Sequence, residues 1–423
     1  MLLPRRVDPA GHQILVFEPD AEGHAQEWLQ HLMEYAMTDE RSPSLCFVVP
    51  ETLHLALAHS IPAGANGRIS LTSLTPVEHR LCTDRRLAVA AFARWWTMRR
   101  HLRRSRASSG FFLSLDLLSL PLALGMGAWG KPLSGILFRP SVHYRSFGIQ
   151  KLSRRERLRD LRKDILYRLM LLNPALHRVL SLDPFFPAHA AKRYAGGRKV
   201  QPLPDPAQPP IAVPMGAGRT DAKPAAGRIG FLLFGYLTER KGPLVLLEAL
   251  EKIAPSVVAR IAVLLAGRVD PAIRDRIDAA RRRLARQHPG LDLQVTDRRL
   301  ERAELEALVV HSDVVLAPYQ RFVGSSGVLL WAANAGRPVL AQEYGLVGRL
   351  TRDHGLGLAA NSSDPACLAA AITQMVERGP QSFIDRAAAR AFVRSRTPRH
   401  FAALVLSGGP ADLATGELSK ASS

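Results

Sequence analysis

Two stretches in the second half of the chain carry residue types suited to holding a phosphate. In FGYLTERKGPLVLLEAL, starting at Phe234, a glycine (Gly235) ends an apolar run, Arg240 and Lys241 stand side by side, and Gly242 precedes a helical pattern. Adjacent cations at the carboxyl end of a strand pair with a diphosphate, Arg through its fork and Lys as a point charge. A solvated basic turn has the same composition. In DVVLAPYQRFVGSSGVLLWAANAGRPVLA, starting at Asp313, an apolar run breaks at Gly324-Ser325-Ser326-Gly327, and apolar residues then recur at helical spacing to Ala335. A Gly/Ser turn entering a helix leaves backbone N–H groups unpaired and aimed at one spot, and the helix dipole adds to their positive character. On this stretch alone, an ordinary strand–turn–helix capped by Ser325 or Ser326 fits equally well.

The first half offers acid–base groups instead. His24 follows Gly23 after the first apolar run and opens a helical pattern, and His143 sits in FRPSVHYRS between Arg139 and Arg145. An imidazole that titrates near neutrality donates or accepts a proton at such a place. Asp116, just past a strand, is a further candidate, although Asp is common at strand ends. A helix-capping or solvent-facing His24 and a lone loop His143 fit the sequence equally well. Gly267, ending a strand, and Tyr319, just past Pro318, complete the residues expected near a ligand.

These residues need elements to position them. Apolar runs predict strands over 12–19, 44–49, 69–74, 111–115, 135–139 and 179–183, and helical spacing predicts helices over 25–37, 51–59, 85–104 and 153–172. After a Pro-, Gly- and Ala-dense segment over 201–227 the pattern restarts. It gives strands over 228–234, 259–266, 291–296, 313–318 and 339–342, and helices over 243–253, 271–287, 301–311, 327–335 and 364–377. A terminal helix over 381–407 and a disordered tail over 408–423 complete the expectation, the helix being free to pack back on the first half. The implied architecture is two Rossmann-like α/β domains, 1–200 and 228–380, whose strand ends face a central cleft.

The totals are consistent with this. A chain of 423 residues, 47% hydrophobic, is long enough for two cores. Lys+Arg 57 against Asp+Glu 37 gives +20, which favours acidic partners. Cys46, Cys82 and Cys367 are far apart without metal-ligand spacing, which fits a reducing, cytoplasmic setting. The longest apolar run, 110–130, is broken by Ser114, Asp116, Ser119 and Pro121 and reads as strand and turn, not as a membrane span. The helix over 153–172 places Leu158, Leu161, Ile165, Leu169 and Leu172 at helical spacing among many arginines. Arg94-Trp95-Trp96 to Arg104 mixes bulky apolar residues and cations in the same way, and the favoured reading for both stretches is bulky apolar residues such as Trp facing the core with a solvated basic back. Docking on an anionic membrane surface is the alternative. The cations are scattered over helices without a recognised binding module, so no nucleic-acid partner is expected.

The second half resembles the donor domain of GT-B nucleotide-sugar glycosyltransferases, closest to the retaining family four. The resemblance rests on Gly235…Lys241-Gly242, Leu264-Leu265-Ala266-Gly267, Asp313-Val314…Pro318 and Ala335-Gly336-Arg337-Pro338-Val339-Leu340-Ala341, in order and spacing. It implies transfer of a sugar from a nucleoside-diphosphate donor to a hydroxyl acceptor, in glycan, polysaccharide or glycolipid synthesis. It implies further that Gly235, Arg240, Lys241 and 324–327 hold the diphosphate, that His143 or His24 acts on the reacting groups, and that no metal and no cofactor beyond the donor is needed. Two departures stand out. Tyr236 replaces an arginine, and Val323 and Trp331 replace two glutamates that meet the donor sugar and the ribose. They keep open a non-catalytic scaffold, or a sugar-nucleotide epimerase, as rivals.

Overall fold

Runs such as 14–17, within the strand Gln13–Phe17, and Ile261–Ala266 are apolar at consecutive positions, not alternate ones. Such strands need burial on both faces, which a parallel sheet layered with helices supplies. The computed structural model, which describes residues 12–21, 24–61, 67–147, 154–207 and 227–407 with the side chains of 145 and 146 excepted, contains two such sheets. They belong to two units, one of Met1–His143, Leu152–Pro206 and Pro398–Ser423, the other of Tyr144–Lys151 and Ala207–Thr397.

The first unit runs β1 (Gln13–Phe17), α1 (Ala25–Thr38), β2 (Ser44–Val49), α2 (Glu51–Ala58), β3 (Ile69–Ser73), α3 (Pro76–Cys82), α4 (Leu87–Arg104) and β4 (Ser109–Phe112). It continues with α5 (Ser119–Ala123), β5 (Leu133–Leu137), α6 (Arg154–Leu172), β6 (Leu176–Ser181), α7 (Phe186–Arg193) and β7 (Val200–Pro202). The strands are parallel in the order β3-β2-β1-β4-β5-β6-β7. Along β1 the side chains alternate between two cores. Leu15 and Phe17 join Met98, Leu122 and Met170, and Ile14 and Val16 join Trp28, Leu32 and Phe401.

The second unit runs β8 (Ile229–Phe234), α8 (Pro243–Leu250), α9 (Pro255–Val258), β9 (Ile261–Ala266), α10 (Pro271–Gln287), β10 (Asp292–Thr296), α11 (Arg302–His311) and β11 (Val314–Ala317). Then come α12 (Val328–Asn334), β12 (Val339–Gln342), α13 (Gly345–Asp353), β13 (Gly357–Ala360), α14 (Pro365–Arg378) and α15 (Arg386–Arg394). Its parallel order, β10-β9-β8-β11-β12-β13, repeats the winding of the first unit. In each sheet successive connections run away from the first strand in opposite directions. The carboxyl ends of β1 and β4, and of β8 and β11, therefore flank a crevice where ligands bind in such sheets.

The structure corrects several expectations. Strands expected at 111–115, 135–139 and 179–183 are β4, β5 and β6, each placed two or more residues earlier, because Leu113, Leu115, Phe138 and Leu182 pack in the core beyond the strand ends. The linker expected from 201 begins later, since Val200–Pro202 pairs with β6. Residues 208–226, the tail 408–423, Gly23 and the side chain of Arg145 lie outside what is described. The terminal helix is not one helix. A 3-10 turn at Pro380–Phe383 precedes α15, and Pro398 opens α16 (Pro398–Leu406), since a proline inside a helix lacks its N–H donor and clashes with the preceding turn. Helix α15 packs on α12 and α16 packs on α1. Among the described residues no helix is long and apolar enough to cross a membrane.

Candidate active site

The second unit assembles its site around the ends of β8 and β11. Gly235 leaves β8 with φ 99°, and a Cβ there would lie 3.1 Å from the Lys241 ammonium, so glycine lets Lys241 fold back over the strand end. Lys241 Nζ donates to Phe234 O at 3.1 Å and lies 3.4 Å from Tyr319 Oη. Tyr319 Oη is in turn 2.8 Å from Ser326 Oγ. One polar chain thus ties the loop after β8 to the Gly/Ser turn after β11. Gln320 N donates to Arg240 O at 2.8 Å, which holds the two loops together.

Gly242 makes this approach possible. Its φ is 79°, and a Cβ would meet Pro318 O at 2.0 Å. Gly242→Ala is expected to lower stability by about 2 to 3 kcal/mol, through left-handed strain and overpacking, and to separate Lys241 from Tyr319. Denaturant titration together with nucleotide affinity checks this. A variant of native stability and affinity would refute it.

Among the described residues the backbone N–H groups of Gly324, Ser325, Ser326 and Gly327 make no hydrogen bond. They are the open donors expected of an anion site. The helix behind them is shorter than the expected 327–335. It is Val328–Asn334, seven residues, so its dipole adds less than a full helix would and the amides carry the effect. The Arg240 guanidinium, on the exposed side of the loop, lies 4.7 Å from the Phe322 ring centroid. Tyr319 is buried, and its carbonyl accepts from Tyr344 Oη at 2.8 Å and from Ser362 Oγ at 2.9 Å. These bonds fix the phenol that bridges Lys241 and Ser326.

Gly267, with φ 133°, presses the end of β9 against the first loop, where a Cβ would lie 2.2 Å from Gly235 O. The next residue, Arg268, was not singled out from the sequence. Its guanidinium carbon is 5.7 Å from the ring centroid of the exposed Tyr236, which brings a third cation to these loops. A Gly-Arg step directly after an apolar strand was the available signal. Val323 and Trp331 are partly buried, and Trp331 meets Phe234 edge-on with centroids 6.3 Å apart. Apolar groups stand where the resemblance implies carboxylates.

In the first unit each expected residue has its own partners. Asp116 accepts from Phe138 N at 2.8 Å and Arg139 N at 3.2 Å, locking the end of β4 to the end of β5. Burial raises its carboxyl above the usual range and lowers the Lys163 ammonium near it. His24 is exposed, stacks on Trp28 with centroids 5.7 Å apart and stands 4.0 Å from Glu27, whose pairing raises the imidazole. His143 is buried. Its Nδ1 is 2.8 Å from Pro140 O and its Nε2 2.9 Å from Asp183 Oδ2, with Phe186 and His189 against the ring. Both of its nitrogens therefore face oxygens of the same unit.

Sequence reasoning missed Glu18. It sits just past β1, beside the crevice, and only 4% of it is exposed. Its Oε1 accepts from Asp20 N at 2.8 Å. The buried Arg94 donates to Asp20 Oδ1 and to Cys82 O, both at 2.8 Å. Burial pushes the Glu18 carboxyl up to about 8. A charged residue closing an apolar strand was the signal.

Residues 228–378 match the family model described as Glycosyl transferases group 1, a span that takes in Lys241, Tyr319 and the Gly/Ser turn. Within the second unit, this span is similar to group 1 glycosyltransferase domains. Solved structures extend the likeness over the whole fold. A crystal structure of HepE from Anabaena, in complex with UDP and glucose, is 13% identical over 93% of this chain and 98% of its own, with TM-score 0.60. WaaG, a glycosyltransferase involved in lipopolysaccharide biosynthesis, is 15% identical over 94% and 100%, with TM-score 0.61. A UDP-forming α,α-trehalose-phosphate synthase from Burkholderia xenovorans is 16% identical over 96% and 99%, with TM-score 0.63. At these identities the likeness shows the fold, and that fold is GT-B. No curated protein matches the sequence. The group 1 match ends at α14, so the first unit rests on the fold likeness alone.

Proposed function

We propose that the protein transfers a sugar from a nucleoside-diphosphate sugar to a hydroxyl acceptor. The observation that carries this reading is the Lys241–Tyr319–Ser326 chain beside the open amides of 324–327, at the switch point of a group 1 domain. As the bond from the anomeric carbon to the diphosphate breaks, negative charge grows on the leaving phosphate. Lys241, Arg240 and the turn amides are fixed before that charge appears, so they stabilise it without reorganisation. Cations and amides in this place supply what a divalent metal would, and the reading is metal-independent. Retention at the anomeric carbon is part of the proposal through the resemblance, with UDP-sugars the first donors to try, since HepE of like fold binds UDP and glucose and the trehalose-phosphate synthase is UDP-forming. The acceptor is a glycan or a lipid-linked glycan met at the cytoplasmic face of a membrane.

A donor-panel assay with NMR of the product anomer tests this. Turnover of at least one donor with retained configuration is expected, and inversion would overturn the stereochemical part. The apolar Val323 and Trp331 favour one rival, a scaffold that keeps the fold without chemistry. Calorimetric titration that finds no donor bound would establish the scaffold and refute the transferase.

A further inference from the structure

Helix α6 presents its aliphatic residues to water. Its inward side is Asp160, Tyr167, Met170 and Leu171, all buried. Its outward side carries Leu158, Leu161, Ile165, Leu169 and Leu172, exposed by 68, 56, 49, 44 and 55%. The expectation of a core-facing stripe with a basic back is therefore overturned. At about 100° per residue the five fall within an arc of about 80°, a continuous strip along the helix. On the same projection Arg157 and Arg168 border one edge of the strip and Arg155 and Arg162 the other, and all four are exposed. On this projection Glu156 falls opposite the strip, and the other two acids of the helix are engaged. Asp160 is buried near Ser141, and Asp164 is held by Arg193 at 3.0 Å and Tyr194 at 2.7 Å.

The helices next to α6 also expose apolar side chains. Helix α6 packs on α5 and α5 on α4, and this layer leaves Trp96, Leu124 and Trp129 exposed. The Arg99 guanidinium lies 3.9 Å from the centroid of the Trp129 ring.

We propose that α6, with the exposed end of the α4–α5 layer, docks this unit on an anionic lipid surface. Aliphatic side chains between two rows of guanidinium groups match acyl chains bordered by lipid phosphates. A second copy of the chain fits less well, since pairing two such faces brings arginine rows together. A nucleic acid would leave the leucines in water. The proposal rests on α6 and its neighbours and does not depend on the donor site.

The test uses the full chain without donor or acceptor, so its outcome is separate from that of the transfer assay. Vesicles of phosphatidylcholine alone and with about 30 mol% phosphatidylglycerol are co-sedimented at about 0.1 M salt. Binding to the anionic vesicles alone is expected, weakening as salt rises. Leu161→Gln/Ile165→Gln and, separately, Arg157→Gln/Arg168→Gln each lower it about tenfold without moving the unfolding midpoint. Three results would overturn the proposal: no vesicle binding, binding unchanged in either variant, or a solution dimer that Leu161→Gln/Ile165→Gln dissolves.

Discussion

Lys241→Ala slows sugar transfer by about 100- to 1,000-fold while leaving the protein folded. This is the size of effect seen when one preorganised donor to a developing oxyanion is removed. In the fold the ammonium rests on Phe234 O and near Tyr319 Oη, so its loss from the folded state costs about 1 kcal/mol or less. A bound diphosphate draws the same ammonium into charge-assisted bonds, which are stronger. The readout is therefore selective: affinity for a nucleoside diphosphate falls, affinity for the monophosphate changes little, and kcat falls at saturating donor. Arg240→Ala, on the exposed side of the loop, gives the smaller loss, and the double variant gives the largest. Undiminished transfer by Lys241→Ala would remove Lys241 from the site.

Glu18→Gln flattens the pH dependence of stability in the first unit. The Glu18 carboxyl has an ordinary value of 4.5 in the unfolded chain, and burial pushes it up to about 8 in the fold. A raised folded value means that the fold binds the proton more tightly than the unfolded chain does. The stabilisation is complete below pH 4.5 and is lost progressively as pH rises towards 8. Its full size is on the order of 4 to 5 kcal/mol, since each pKa unit corresponds to about 1.4 kcal/mol. Glutamine keeps the shape and an acceptor for Asp20 N but does not titrate. The difference in unfolding free energy between the two proteins should therefore grow, in favour of the variant, from pH 5 to 8. Glu27 runs the other way. Despite its burial, His24 and His31 hold it down at about 2, so its contribution is present above pH 4.5 and disappears in acid. Because both proteins keep Glu27, the comparison cancels it. A difference that stays constant with pH would show that Glu18 is ionised throughout.

Much of the second unit was legible before the structure. Gly235, Lys241, Gly242 and the Gly/Ser turn were each visible as composition, and the consecutive apolar strands announced parallel sheets with buried faces. What composition did not contain was the junction. Lys241 meets Ser326 through Tyr319 only because β8 and β11 are neighbours in the sheet, and strand order is a property of long-range pairing. The first unit was harder to read. Asp116 and His143 came to notice as chemical groups, and the structure gives each a fixed set of partners, backbone N–H groups for one and Pro140 O with Asp183 for the other. Glu18 passed as a strand end until the sheet buried it.

The sequence by itself determined which residues share a helix side or a strand, because side-chain periods of 3.6 and 2 follow from backbone geometry. Only the tertiary structure decided which way each side points. In α6 the five leucine and isoleucine positions were grouped correctly and assigned inward. Tyr167, Met170 and Leu171 fill the core instead, leaving the more regular strip outside. Periodicity defines a face, and burial depends on what the neighbouring elements leave room for. Arg94 shows the same division from the other side. A cation on a helix reads as solvated, yet the carbonyl of Cys82 and the carboxylate of Asp20 meet it and satisfy it in the interior.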